Sequence, residues 1–91
     1  IVYVDRRATG KYLVGLRHGS WELHYDDGTP MAAGNYDYGQ QVGRWNFYFP
    51  NGKIREIGYF RHGQMDGTWQ FYNEAGEYTT VQFDRGRQVE R

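Results

Sequence analysis

The sequence predicts an all-β protein, an elongated single-sheet antiparallel meander built from β-hairpin repeats of 24 residues. Tryptophan recurs at a constant spacing, at Trp21, Trp45 and Trp69, and all 13 glycines occupy four positions of the same repeat. The residues between the glycines alternate with period two, which is typical of strands and not of helices. A constant period of this length indicates a repeat architecture. We therefore assign residues 1–91 to one domain of about three repeats.

The chain begins with an apolar, β-prone stretch, Ile1-Val2-Tyr3-Val4-Asp5, which predicts a first strand. From residue 10 onward, segments that begin with glycine and contain tyrosine or phenylalanine alternate with segments that contain tryptophan. Each segment has the length of one strand. We therefore expect at least six antiparallel strands and almost no helix.

Two series of glycines predict the turns at the two edges of the meander. Pro50, Asn51 and Gly52 stand in the order typical of a type I turn that is closed by a left-handed glycine. The same turn is predicted in the flanking repeats at Gly28 and Gly76. The turns of the opposite edge are predicted at Gly15, Gly39, Gly63 and, after a one-residue slip, Gly86.

Along each tryptophan strand the large apolar side chains occupy alternate positions, which places them on one face of the sheet. Gly34 and Gly58 lie within predicted strands, where they leave room for a tryptophan ring to lie flat over the backbone. The predicted repeat core comprises Trp21, Trp45, Trp69, Leu23, Phe47, Phe71, Tyr12, Tyr36, Phe60, Phe83, Gly34 and Gly58.

The repeat pattern loosens towards the C-terminus, where Val81 replaces the strand glycine. The last segment, Gly86 to Arg91, parallels Gly39 to Arg44, but Glu90 replaces a glycine. Charged residues of this kind blunt exposed sheet edges. We expect either that both ends are cut from a longer array or that the last strand is an edge.

The chain carries 11 basic and 11 acidic side chains, so its formal net charge is zero. Surfaces that bind nucleic acid or anionic membranes are usually basic, so we expect neither partner. No apolar run has the length of a membrane span or of a signal peptide. The absence of cysteine excludes a disulfide framework and a Cys-based zinc site. It leaves the compartment open, with the cytoplasm slightly favoured.

No set of residues has the spacing that catalysis, cofactor binding or metal binding requires. His18, His24 and His62 occupy three different repeat positions and share no metal-ligand spacing. Ser20 stands at a position that varies between repeats, which argues against a nucleophile. The glycines do not form a phosphate-binding loop that precedes a helix. We therefore expect a non-catalytic protein without cofactor or metal.

The central repeat carries Gly43-Arg44-Trp45-Asn46-Phe47-Tyr48, then Asn51-Gly52, and then a second segment that begins at Gly58. This pattern resembles the MORN repeat, and more closely its bacterial variant, which occurs in YwqK-type antitoxins. The resemblance covers residues 10–86, although His24 and Asn73 replace aromatic residues of the pattern. It implies an array of β-hairpins with an interaction role, and it implies no catalytic residues.

We predict that the chain is a repeat module that binds another protein through the face opposite the tryptophans. Tyrosine and arginine, which are enriched at interface hot spots, both occur on that face. The predicted partner-binding face comprises His24, Tyr48, Arg55, Ile57, Tyr59, Arg61, Tyr72 and Tyr78. The candidate partners are a toxin that the chain neutralises, a scaffolded protein, and a second copy that pairs with an edge strand.

The alternative function is a glycan or cell-wall ligand-binding module. The Gly-x-Trp-x-Phe-Tyr segment is also similar to choline-binding wall repeats, and three tryptophans could stack on sugar rings. Because small residues lie opposite the tryptophans, we interpret the rings as core instead. An enzyme is the third hypothesis, and it requires a catalytic domain outside these 91 residues.

Overall fold

A computed structural model describes residues 2–4 and 7–89. In this part of the chain nine strands form one sheet, in which every strand pairs antiparallel with the strand that follows it. The strands are β1 (Val2–Val4), β2 (Ala8–Leu13), β3 (Leu16–His24), β4 (Pro30–Asp37), β5 (Gln40–Tyr48), β6 (Ile54–Arg61), β7 (Gln64–Tyr72), β8 (Tyr78–Asp84) and β9 (Arg87–Gln88).

The predicted all-β meander is confirmed, because the described residues contain no helix and more strands than the expected minimum of six. They accordingly contain no helix long and apolar enough to cross a membrane. The molecule measures 44 × 30 × 13 Å, so the sheet is a single layer. Ile1 and Asp5 of the predicted first strand, and Glu90 and Arg91 of the predicted last one, lie outside the described residues.

One edge of the sheet carries turns of the predicted type, a type I turn closed by a left-handed glycine. At the central turn, the Phe49 N–H donates to the Lys53 carbonyl at 2.7 Å, and the Gly52 N–H donates to the Phe49 carbonyl at 2.9 Å. Gly52 has a φ of 89°. The Asn51 side chain braces the turn by accepting the Lys53 N–H at 3.0 Å. The same backbone pattern recurs in the turns that contain Gly28 and Gly76.

The opposite edge carries two-residue turns, also at the predicted glycines. In each turn both central residues have positive φ, as a type I′ hairpin requires. Val14 and Gly15, for example, have φ values of 51° and 77°. The equivalent first positions are occupied by Tyr38, His62 and Arg85.

The core of each repeat is a tryptophan ring that lies over a strand glycine eleven positions earlier in the chain. Trp45, which is 0% exposed, covers Gly34, where a Cβ would overlap the ring. Its indole Nε1 donates to the Asn35 carbonyl at 3.0 Å. Trp21 over Gly10 and Trp69 over Gly58 repeat the arrangement, with indole hydrogen bonds of the same length. A ring that packs on backbone needs no second layer of protein to be buried.

Half-buried aromatic rings fill the space between the tryptophans and connect them. Tyr36 meets Trp45 edge-on at 5.1 Å, and Phe47 stacks on Trp69 at 6.1 Å between ring centroids. We call this side of the sheet the tryptophan face. The half-buried residues of the predicted core that lie on this face are Leu23, Phe47, Phe71, Tyr12, Tyr36, Phe60 and Phe83.

Candidate interaction surface

The other side of the sheet, which we call the second face, carries rows of side chains that run across the strands. The pairing register places Ala33 opposite Glu22, Asn46 opposite Ala33, and Ile57 opposite Asn46. Gln70 and Thr80 continue the row on β7 and β8. Because the residues of such a row point the same way, they form a continuous surface from β3 to β8.

The register places seven of the eight residues of the predicted partner-binding face on the second face: His24, Tyr48, Ile57, Tyr59, Arg61, Tyr72 and Tyr78. Two of them are strongly exposed, Tyr59 at 49% and Tyr78 at 58%. The rings of Tyr72 and Tyr78 contact each other, with centroids 5.1 Å apart. Strands β6 to β8 therefore carry tyrosine side chains that are accessible on the second face.

These residues do not form one cluster. His24 lies on β3, where its Nε2 is 2.6 Å from the Glu22 carboxylate. Arg61 lies near the two-residue turns and lines a separate cavity of ≈ 300 Å³ with Asp66 and Asp84. The Tyr72 hydroxyl is engaged within its own strand, because it donates to Gln70 Oε1 at 3.0 Å.

The assignment of Arg55 to the second face is wrong. A β-bulge places Phe47 opposite Glu56 and Tyr48 opposite Ile54, so Arg55 is the extra residue between two pairs. A bulge re-aims the side chain of its extra residue. The Arg55 Cζ lies 5.9 Å from the centroid of the Phe47 ring, on the tryptophan face. Its Nε is 3.3 Å from the Glu56 carboxylate, without a hydrogen bond between them.

A groove of ≈ 570 Å³ crosses strands β2 to β5 on the second face. Its two walls are rows of side chains, and the backbone of the Gly10–Trp21–Gly34 row forms its floor. One wall comprises Thr9, Glu22, Ala33 and Asn46, and the other comprises Lys11, Ser20, Asn35 and Arg44. Ala33 leaves a gap in the first wall because its side chain is a single methyl group.

The groove contains charged and polar groups that the described part of the protein leaves unpartnered. Lys11 and Arg44 have no carboxylate within ion-pair distance among the described residues, whereas Glu22 is paired with His24. The Asn46 Oδ1 atom is buried and accepts no hydrogen bond there. A buried acceptor without a donor costs free energy that a ligand can recover.

Sequence reasoning missed Lys11, Ala33, Asn35, Arg44 and Asn46 as a set. The signal that could have found them is the alternation itself, which places each of them opposite the tryptophan face. What the alternation does not show is which residues of different strands stand side by side. That information requires the register, which depends on the bulges.

A different cation, Arg17, belongs to the tryptophan face and is engaged within the fold. Its Cζ lies 4.7 Å from the centroid of the Trp21 ring, and its Nη1 donates to the Tyr36 hydroxyl at 3.2 Å. Partial burial opposes the charged form, but the hydrogen bonds to the Tyr36 and Tyr12 hydroxyls outweigh it and raise the pKa of Arg17. Arg17 therefore stabilises the first repeat as a permanent cation.

The residues of the groove have no arrangement suited to metal binding. Across residues 2–4 and 7–89, no group of three or more His, Cys, Asp or Glu side chains could hold a metal ion. The polar groups of the groove are amides, hydroxyls, two cations and the Glu22 carboxylate, which recognise a ligand through hydrogen bonds and charge.

Residues 41–62 match a protein-family model described as "MORN repeat variant". The matched segment extends from β5 through β6, which is one hairpin with its turn and one tryptophan. A search of curated proteins finds no match to the chain. The fold repeats the geometry of the matched hairpin in the tryptophan–glycine pairs on either side of it, and the chain is thus a repeat module.

Proposed function

We propose that this repeat module binds another protein through the second face and does no chemistry of its own. One observation carries the proposal: the second face presents the exposed Tyr59 beside an open groove with unpartnered polar groups, and the exposed Tyr78 further along the same face. Tyrosine contributes a large, rigid contact area together with a hydroxyl, which is why it is enriched at protein interfaces. A single-layer sheet exposes this whole face to a partner.

Within this function the partner is either a toxin that the chain neutralises or a protein that it scaffolds. The antitoxin hypothesis rests on the resemblance to the YwqK-type proteins alone. Both hypotheses use the same surface, so one set of variants tests them together.

The glycan alternative has less support, because the rings that would stack on sugars are packed on backbone. Trp21, Trp45 and Trp69 are at most 2% exposed. Sugar binding would have to use the groove and the tyrosines, and the experiment below therefore includes a polysaccharide arm.

The test compares three forms of the tagged chain as bait in a lysate of the source cells. The first is the wild type, the second is Tyr59→Ser combined with Tyr78→Ser, and the third is Tyr38→Ser. Tyr38 is a matched control because it is 54% exposed but lies in a two-residue turn. We expect one protein that the wild type and the control retain and that the double variant loses by at least about tenfold.

The captured protein is then purified and titrated against the three baits by calorimetry. Loss of binding by the control and the double variant alike would place the interface elsewhere. Retention of cell-wall polysaccharide by the wild type, and not by the double variant, would favour the glycan alternative instead.

A further inference from the structure

The groove on the second face has a length that can be compared with that of an extended peptide. Lys11 lies on β2 and Arg44 on β5, so three strand spacings separate them. At about 4.8 Å per spacing, the backbone positions that carry the two cations lie about 14 Å apart. An extended chain advances about 3.3 Å per residue, and four residues therefore cover about 13 Å.

The charge of the groove selects for an acidic occupant. Lys11 and Arg44 stand in the same wall, and neither has an ion-pair partner among the described residues. The one acid of the groove, Glu22, is already in contact with His24 at 2.6 Å. Two cations at opposite ends of a groove favour a ligand with two anionic groups at the same separation.

The opposite wall provides a contact for the backbone of such a ligand. Asn46 Oδ1 is a buried acceptor without a donor, and Ala33 beside it leaves space for a main chain to approach. An extended peptide presents backbone N–H donors at regular intervals, one for every residue other than proline. A lipid headgroup has no such series of donors.

We propose that the groove across β2 to β5 binds an extended acidic segment of the partner protein, in which two carboxylates are four residues apart. Lys11 and Arg44 bind the two carboxylates, and the Asn46 amide, once its side chain turns into the groove, accepts a backbone N–H between them. This inference rests on the proposed function, since it names the chemistry of the partner segment.

The test uses two fluorescein-labelled peptide pools and the whole chain, with fluorescence anisotropy as the readout. In the first pool two aspartates are four residues apart, and the other positions are mixtures of Ser, Thr and Val. In the second pool both aspartates are replaced by asparagine. We expect the aspartate pool to bind at least about tenfold more tightly than the asparagine pool, and its affinity to fall with added salt.

Three variants locate the binding site of the aspartate pool. Lys11→Glu and Arg44→Glu should each weaken binding by about tenfold or more. Arg85→Glu makes the same change of charge in a turn outside the groove and should leave the affinity unchanged. Circular dichroism of each variant checks that the sheet is intact. Equal binding of the two pools, no binding of either, or equal losses in all three variants would overturn the proposal.

Two further outcomes separate this proposal from the others. Arg44→Glu could abolish capture of the cellular partner although the aspartate pool does not bind. In that case the second face binds the partner, as the proposed function states, but the groove does not recognise an acidic segment. Vesicles of phosphatidylcholine with about 30% phosphatidylserine serve as an additional probe, because they present an anionic membrane surface. Binding of these vesicles that Lys11→Glu abolishes, without binding of the peptide pool, would assign the cations to a membrane surface.

Discussion

At the scale of single residues, the fold depends on pairs of one tryptophan and one glycine. The ring of Trp45 occupies the space that a side chain at position 34 would need, and its N–H uses a carbonyl of the same strand. The glycine is therefore required by a close approach and not by its backbone angles. The tryptophan and the glycine of each pair stand on adjacent strands, so the apolar surface of the ring becomes buried only where those two strands lie side by side.

Gly34→Ala should destabilise the protein by about 2–3 kcal/mol, because the new methyl group overlaps the Trp45 ring. In a Trp45→Ala background the same change should cost almost nothing, since the ring is absent. Gly58→Ala is the matched control: Trp69 covers it, so it should remain costly in that background. Denaturant unfolding of the single and double variants measures the coupling, and additive effects would contradict the pairing.

Trp45→Ala should destabilise the protein more than Tyr48→Ala. Truncation of a fully buried tryptophan costs about 3–5 kcal/mol, and Trp45 is 0% exposed. Tyr48 is half-buried on the second face, so its truncation should cost less. Urea unfolding curves compare the two variants, and equal midpoints would show that the two faces are energetically alike.

The Asp27 carboxylate should make the stability depend on acid pH. The backbone N–H and then the hydroxyl of Thr29 donate to it, which lowers the pKa of Asp27 in the folded state. A lowered folded pKa contributes stability above the unfolded value of about 4, and this contribution disappears as the pH falls through the folded value. Thermal melts between neutral pH and acid should therefore fall more steeply for the wild type than for Asp27→Asn.

At the scale of elements, one bulge residue explains the one-residue slip in the last repeat. Met31 and Arg55 are the extra residues of bulges on β4 and β6. The pairing of β7 with β8 continues without interruption from Gly67 to Tyr72, so β8 lacks that extra residue. The repeat positions that follow therefore occur one residue earlier than the 24-residue period requires, at Phe83 and Gly86. Val81 then stands opposite Trp69, where the earlier repeats have glycine.

The two-residue turn at Val14 should be a position where the protein can be stabilised. Val14 is β-branched, has a φ of 51° and is 88% exposed. Its left-handed backbone conformation therefore costs free energy that burial of the side chain does not offset. Val14→Asn should raise the free energy of unfolding by about 1 kcal/mol, because Asn tolerates this region. Val14→Ala is the control, and it should gain less. Denaturant unfolding measures both variants. A lower free energy of unfolding for Val14→Asn would show that Val14 makes a contact that stabilises the protein by more than the backbone strain costs.

At the scale of the whole molecule, the described residues form one layer whose two outermost strands are β1 and β9. The outer edge of β1 pairs with no other strand among the described residues, and β9 is only two residues long. Unpaired N–H and C=O groups at such edges are templates for another strand. The N-terminal edge is the apolar one, since its sequence is Val2-Tyr3-Val4.

The 91-residue chain should therefore self-associate through its N-terminal edge, or be poorly soluble. Val2→Lys combined with Val4→Lys should shift it towards the monomer, because charged residues discourage edge pairing. Val89→Lys, near the opposite edge, is the control and should have little effect. Light scattering over a concentration series measures the change. A wild type that stays monomeric at high concentration, with freely exchanging amides in residues 1–5, would contradict the prediction.

Features that are local and periodic could be predicted from the sequence alone. Alternation, the turn residues and the constant distance between tryptophans are properties of neighbouring positions, and they predicted the strands, the positions of the turns at both edges and a ring over Gly34. Features that depend on the register between strands become visible only in the folded sheet. A single bulge moved Arg55 to the tryptophan face, and the pairing of four strands brought Lys11, Asn46 and Arg44 around one groove. The reason is physical: an extra residue reverses the direction of one side chain at small local cost, and the effect appears only where that strand meets its neighbours.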